Sequence, residues 1–174
     1  MFAQFLSIVF SSIKLDKNLY SDNKFFGEAG IYFAGLIMIL DGVAGAVAAN
    51  SIVKTSIGIS GLTAIITWFV WAIFIYVIGV KLFPEKSTKS NHGELLRTIG
   101  FANAPGLIRV FGVTPDLMFV TFIGSQFWIL ACVVVGVRAA LDYKSLWKAL
   151  GVVIVAMLIQ GVLLFLILVL SQNL

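Results

Sequence analysis

Long apolar runs separated by short charged loops dominate this chain, and they leave it little choice of solvent. Nearly uncharged stretches cover residues 28–49, 57–82, 117–140 and 148–170, and a more polar stretch lies at 93–113. A helix of about twenty apolar residues crosses the hydrocarbon of a bilayer, so each run is long enough to do so. Charged residues make up only 11% of the chain, against roughly a quarter in soluble domains. A water-soluble fold could not cover its surface with so few. The sequence predicts an all-α polytopic membrane bundle over residues 26–174, with five transmembrane helices. A short amphipathic helix within residues 1–25 precedes it.

The third run decides the count, because it carries Arg97, Asn103, Pro105 and Arg109. With five crossings and a cytoplasmic N-terminus, the cytoplasmic side holds Lys14, Lys17, Lys24, Lys81, Lys86, Lys89, Arg97, Arg138, Lys144 and Lys148. Only Lys54 and Arg109 fall opposite. If residues 93–113 merely dipped into the membrane, Arg138, Lys144 and Lys148 would change sides. The positive-inside rule therefore favours five crossings. That puts the C-terminus outside, and the expected location is a bacterial inner (plasma) membrane. Pro105 removes a backbone donor, and with Gly100 and Gly106 nearby it marks the midpoint of this run for a kink. Carbonyls freed there could bind ions or polar headgroups where protein shields them. Arg97 and Arg109 are expected to snorkel towards the two interfaces.

At the N-terminus, Phe2, Phe5, Leu6, Val9, Phe10 and Ile13 recur at helical spacing, with Ser7, Ser11 and Ser12 largely off the stripe. The stretch is too short to span. It suits an interfacial helix with Lys14 and Lys17 near anionic headgroups, or a helix packed on the bundle. Its lysines follow the apolar stretch and no cleavage pattern is present, so no cleavable signal peptide is expected.

Helices in lipid associate through close packing and hydrogen bonds. In the first run Gly30 and Ala34, Gly42 and Ala46, and Gly45 and Ala49 are small pairs suited to close helix contacts. Past Glu28 at its start, Asp41 is the only charge in that run, and an ionised Asp at mid-bilayer costs about 2.5–3.5 kcal/mol. Counting from the run ends places Asn103 and Gln160 at a similar depth, with Thr67 and Gln126 about a turn away. Two readings of this midplane polar layer stay open. Asp41 hydrogen-bonds Asn103 or Gln160 and fixes register, or it titrates along a path for protons or a small cation.

Several chemistries are set aside. The single Cys132 excludes an internal disulfide, and one Cys with one His builds no zinc site. No cofactor is expected. The net charge of +4 comes from the loops, as in membrane proteins generally, and nucleic acid is not an expected partner. Gly58-Ile59-Ser60-Gly61 matches a short intramembrane serine-protease pattern. The only histidine, His92, belongs to the opposite side of the membrane, and a base must come within about 3 Å of its nucleophile. An enzyme is not expected.

Leu95-Leu-Arg-Thr-Ile-Gly-Phe-Ala-Asn-Ala-Pro105 resembles the Gly-aromatic-x-x-x-Pro core of the Yip family of Rab-GTPase-interacting membrane proteins, with Gly100, Phe101 and Pro105 at the motif positions. Val135-Gly-Val-Arg-Ala-Ala-Leu and Trp147-Lys-Ala-Leu150 resemble the family's fourth span and following loop. The resemblance implies five spans, a cytoplasmic N-terminus and a non-enzymatic role in membrane organisation or traffic. Eukaryotic members bind small GTPases through a longer cytosolic N-terminal region. This chain is similar to the short bacterial type, for which a Rab-type GTPase is not an expected partner. The expected partners are the lipid bilayer, other membrane proteins or further copies of the chain. The rival function is a small channel or transporter built on Asp41 and the midplane layer.

Overall fold

The computed structural model describes residues 2–21, 28–50, 52–54 and 56–171, and these are helical with short connections. Helix α1 covers Phe2–Ile13, α2 Lys17–Ser21, α3 Glu28–Ala49, α4 Ile57–Tyr76, α5 His92–Ala102, α6 Pro115–Ala140 and α7 Leu146–Ser171. A π-helical turn, Val77–Leu82, prolongs α4, and a 3-10 helix, Ala104–Phe111, follows α5. Among the described residues, four helices are long and apolar enough to cross a membrane: Ala29–Ala49, Ile57–Leu82, Pro115–Ala140 and Leu146–Leu166. Thr114 caps α6 by accepting from the Leu117 N–H, and Pro115 occupies its first turn, where its missing donor costs nothing.

The third run is broken. Its α-helix ends at Ala102, Asn103 turns the chain with φ −84° and ψ −2°, and the backbone tightens into the 3-10 helix. Pro105 explains the break, because it has no N–H for the carbonyl of Phe101 four residues back. That carbonyl is not left to ions or headgroups, as the sequence allowed. The Ser12 hydroxyl donates to it at 2.6 Å. Despite the break, residues 92–112 run alongside α3 for most of its length. A Cβ added at Gly100 would lie 2.6 Å from the Cβ of Ala34, one at Gly106 would land on the Asp41 carboxylate, and one at Gly112 would lie 3.0 Å from the Cβ of Ala48.

Ser12 also decides between the two readings of α1, in favour of a helix packed on the bundle. An interfacial helix would turn Phe2, Phe5 and Phe10 into lipid and hold Lys14 and Lys17 at headgroups. Instead α1 docks on the bundle through Ile8, Val9 and Ser12, all buried. Trp128 Nε1 donates to the Ile13 carbonyl at 3.0 Å and the Cys132 thiol to the Ser12 carbonyl at 3.3 Å. Those two residues sit near the middle of α6, so the end of α1 lies at mid-span depth. The reason is polar satisfaction. Buried away from water, these carbonyls and hydroxyls bond each other more favourably than they would face hydrocarbon. Phe2 and Phe10 remain exposed, Phe5 packs on the Phe33 ring at 6.1 Å, and Lys14 is exposed. The side chain of Lys17 and all of Lys24 lie outside the described residues.

The small residues of α3 divide into two groups. A Cβ at Gly42 would lie 2.8 Å from the Cβ of Ala64 and 2.8 Å from the carbonyl oxygen of Ser60, so α3 and α4 cross closely there. Ala34 is fully buried against Gly100, and Gly30 is buried. Gly45 departs from its expected packing role: a Cβ there would meet nothing within 4 Å. With Ala46 and Ala49 it faces a cavity, because the neighbouring helices diverge at that level.

A polar clasp closes the end of the bundle opposite that cavity. The Tyr143 hydroxyl lies 2.7 Å from the Gly79 carbonyl and 2.8 Å from that of Phe83, joining the α6–α7 connection to the π-turn of α4. Glu85 accepts from the Lys144 N–H at 3.1 Å and pairs with Lys148 at 3.6 Å. Burial, with the Glu85 carboxylate adding to it, pushes the Tyr143 phenol up to about 12. The neutral phenol is therefore the form the fold holds. Its stabilisation is complete below about pH 10 and is lost as pH rises through about 12. Tyr143→Phe should cost about 1–3 kcal/mol at neutral pH, because a buried carbonyl loses its donor. In thermal melts the gap between variant and wild type should narrow between pH 10 and 12. A gap that stays constant across that range would oppose the assignment.

Candidate functional site

The packed core occupies one half of the bundle. On α7, Ala149, Val152, Val153 and Ala156 are buried, whereas no described side chain from Met157 onward is. The same holds in mirror order on α4 and α6: Trp68, Ala72 and Ile75 are buried but only Gly61 before them, and Ile129, Cys132 and Val133 are buried but only Ser125 before them. The helices thus splay in the half that contains Ala49, Ile59 and Leu164. Between them lies a cavity of about 720 Å³. Its lining includes Asp41, Thr67, Asn103, Gln126 and Gln160, so the structure brings all five polar-layer residues around one space.

Their bonding differs from the sequence expectation. Asp41 pairs with neither Asn103 nor Gln160. Its Oδ1 accepts from a terminal guanidinium nitrogen of Arg109 at 2.9 Å, and both side chains are only 9% exposed. Arg109 does not snorkel. Its Nε–H donates to Ser125 Oγ at 2.8 Å, its other terminal nitrogen donates to Gln126 Oε1, and its guanidinium lies 4.5 Å from the Phe122 ring centre. The 3-10 geometry accounts for this. Residues three apart eclipse in such a helix, so Arg109 stands over Gly106, on the face that meets α3. Gly106 leaves room for the carboxylate, and Arg109 reaches it from the next turn. Asn103 instead donates back to the Ile99 carbonyl at 2.7 Å.

This constellation was partly visible in advance. Asp41 and Arg109 are the opposite charges deepest in the runs of their half of the membrane, and an isolated charge in hydrocarbon calls for a counter-charge. Ser125 and Phe122 carry no comparable signal. They matter only because α6 packs against the 3-10 helix.

The site is charge-compensated and rich in hydrogen-bonding groups, and among the described residues no nucleophile in it has a base beside it. Ser125 accepts from Arg109 and itself donates to the Phe122 carbonyl at 3.0 Å. Ser60 lines the cavity, whereas His92 stacks on Tyr76 with ring centres 3.7 Å apart. Sixteen helical steps, about 24 Å at 1.5 Å each, separate Ser60 from Tyr76. Among the described residues Thr67 and Gln160 make no side-chain hydrogen bond, and the buried Trp71 Nε1 has no acceptor.

Comparison with known proteins gives one result. No curated protein and no solved structure matches the chain. The Gly100-Phe101-x-x-x-Pro105 segment that shapes this site lies within residues 6–168, which match the model of the Yip1 domain, and the protein belongs to that family.

Proposed function

We propose that this is a non-enzymatic, five-crossing membrane protein that acts by assembling with lipids, other membrane proteins or further copies of itself. The splayed half of the bundle is the contact region. The observation that carries this reading is the polar-lined cavity beside a buried, charge-compensated ion pair. Such a space suits binding within the membrane better than catalysis. The fifth crossing is made by α5 and the 3-10 helix together. At 1.5 and 2.0 Å per residue they extend about 32 Å, close to the hydrocarbon thickness of roughly 30 Å. Apart from Arg109, paired internally, and Lys14, which follows the end of α1 to mid-span depth, Lys54 alone opposes the positive-inside distribution, which supports a cytoplasmic N-terminus, an external C-terminus and a cavity opening to the outer side. A bacterial plasma membrane is the location we infer.

A channel through the midplane layer is less favoured. Ile37, Ile75, Ile99 and Val133 are fully buried on the cytoplasmic side of the cavity and fill the route a conducting path would need.

Photo-reactive residues at Leu164, on the cavity rim, and at Phe119, exposed on α6, test the reading. Irradiation of native membranes should give discrete adducts from position 164 and only diffuse lipid labelling from 119. The same pattern from both positions would remove the case for the cleft as a contact region.

A further inference from the structure

We propose that the cavity is a binding site for an uncharged isoprenoid lipid of the quinone class, with its ring at mid-membrane depth and its tail leaving between the splayed helices. This rests on the reading of the cleft as a contact region. Three observations select the ligand chemistry.

The first is charge. Asp41 and Arg109 compensate each other at 2.9 Å, so a charged ligand would enter a low-dielectric site with no counter-charge to spare and would bear its own desolvation cost. An uncharged head avoids that cost. The second is hydrogen bonding at depth. Thr67 and Gln160 face the cavity without side-chain partners among the described residues, and the Gln126 amide group stands beside them. Polar groups facing hydrocarbon are costly, and two ring carbonyls would accept from such donors. A phospholipid keeps its polar head at the interface and cannot serve a layer near the middle. A quinone, with an uncharged head on a long apolar tail, can. The third is access. Beyond Ala156 no described side chain of α7 is buried, so the cavity is continuous with the bilayer on the flanks of that helix and a tail need not be enclosed. Trp71 and Phe122 provide aromatic walls for a planar ring.

The test uses the full chain in detergent, with a decyl-tailed benzoquinone as the probe and quenching of tryptophan fluorescence as the readout. Dioleoylglycerol and dioleoylphosphatidylglycerol serve as competitors. Saturable quenching is expected, at least tenfold weaker in a Thr67→Val, Gln160→Leu variant, with little competition from either glycerolipid. Gly45→Phe is the second variant. A Cβ at Gly45 meets nothing within 4 Å and the residue lines the cavity, so this side chain should occlude the site, abolish saturable quenching and leave the melting temperature nearly unchanged. Linear quenching that is equal in wild type and Gly45→Phe would mean partition into the micelle and would overturn the proposal. Displacement by dioleoylglycerol at equal concentration would overturn it in favour of a neutral glycerolipid. Discrete cross-links at Leu164 without saturable quinone binding would leave the contact-region reading standing and remove only this ligand.

Discussion

Arg109→Met should destabilise the protein by about 3–5 kcal/mol, the usual cost of removing one partner from a buried ion pair. The substitution keeps most of the side-chain volume, so the loss is electrostatic. It strands the Asp41 carboxylate and deprives Ser125 and Gln126 of their donor at once. The double variant Asp41→Leu, Arg109→Met should be far less affected, because replacing both charges by apolar groups removes the desolvation cost together with the attraction. Thermal unfolding in detergent of the two single variants and the double variant closes the cycle. A strongly favourable coupling between positions 41 and 109 is expected. If the double variant is as unstable as Arg109→Met, the pair is not what holds the 3-10 helix against α3, and Gly106 packing alone must do so.

Asp41 was legible as a group in need of a partner, and Asn103, Gln126, Gln160 and Thr67 were legible as its neighbours, because residue counts along apolar runs give height in a membrane. Counts do not give azimuth when the helix type changes. Past Asn103 each residue turns about 120° instead of 100°, and Arg109, assigned to the interface on α-helical assumptions, comes round to α3. Pro105 announced that a change would occur but not its form. The sequence leaves the docking of α1 as one of two readings for a similar reason. Ser12 looked like the polar edge of an amphipathic stripe, and its role depends on a carbonyl 89 residues away. The long apolar helices were legible because a chain in lipid must satisfy its backbone internally, which leaves such runs little alternative to helix.

The closest approach of the broken segment to α3 supplies the other large effect. Gly100→Ala places a methyl 2.6 Å from the Cβ of Ala34, with the Ala34 Cα at 3.0 Å and its carbonyl oxygen at 3.1 Å. Two of these three obstacles are backbone, so a rotamer change cannot relieve them and the helices must separate. Overpacking of this kind costs about 1–3 kcal/mol. Separation at Gly100 acts like a wedge six residues above the ion pair, where Gly106 already admits the Asp41 carboxylate with no room to spare. The expected result is lowered thermal stability that Ala34→Gly partly restores in the double variant, since removing the facing methyl clears the shortest of the contacts. Ala34→Gly alone should be mild. Failure of the double variant to regain stability would mean that the Ala34 backbone, not its methyl, sets the limit at this crossing. In either case the Gly-aromatic-x-x-x-Pro segment acts as a unit. Gly100 brings the helix onto α3, Phe101 is fully buried and offers the carbonyl that Pro105 frees, and the break at Asn103 delivers Arg109 to Asp41.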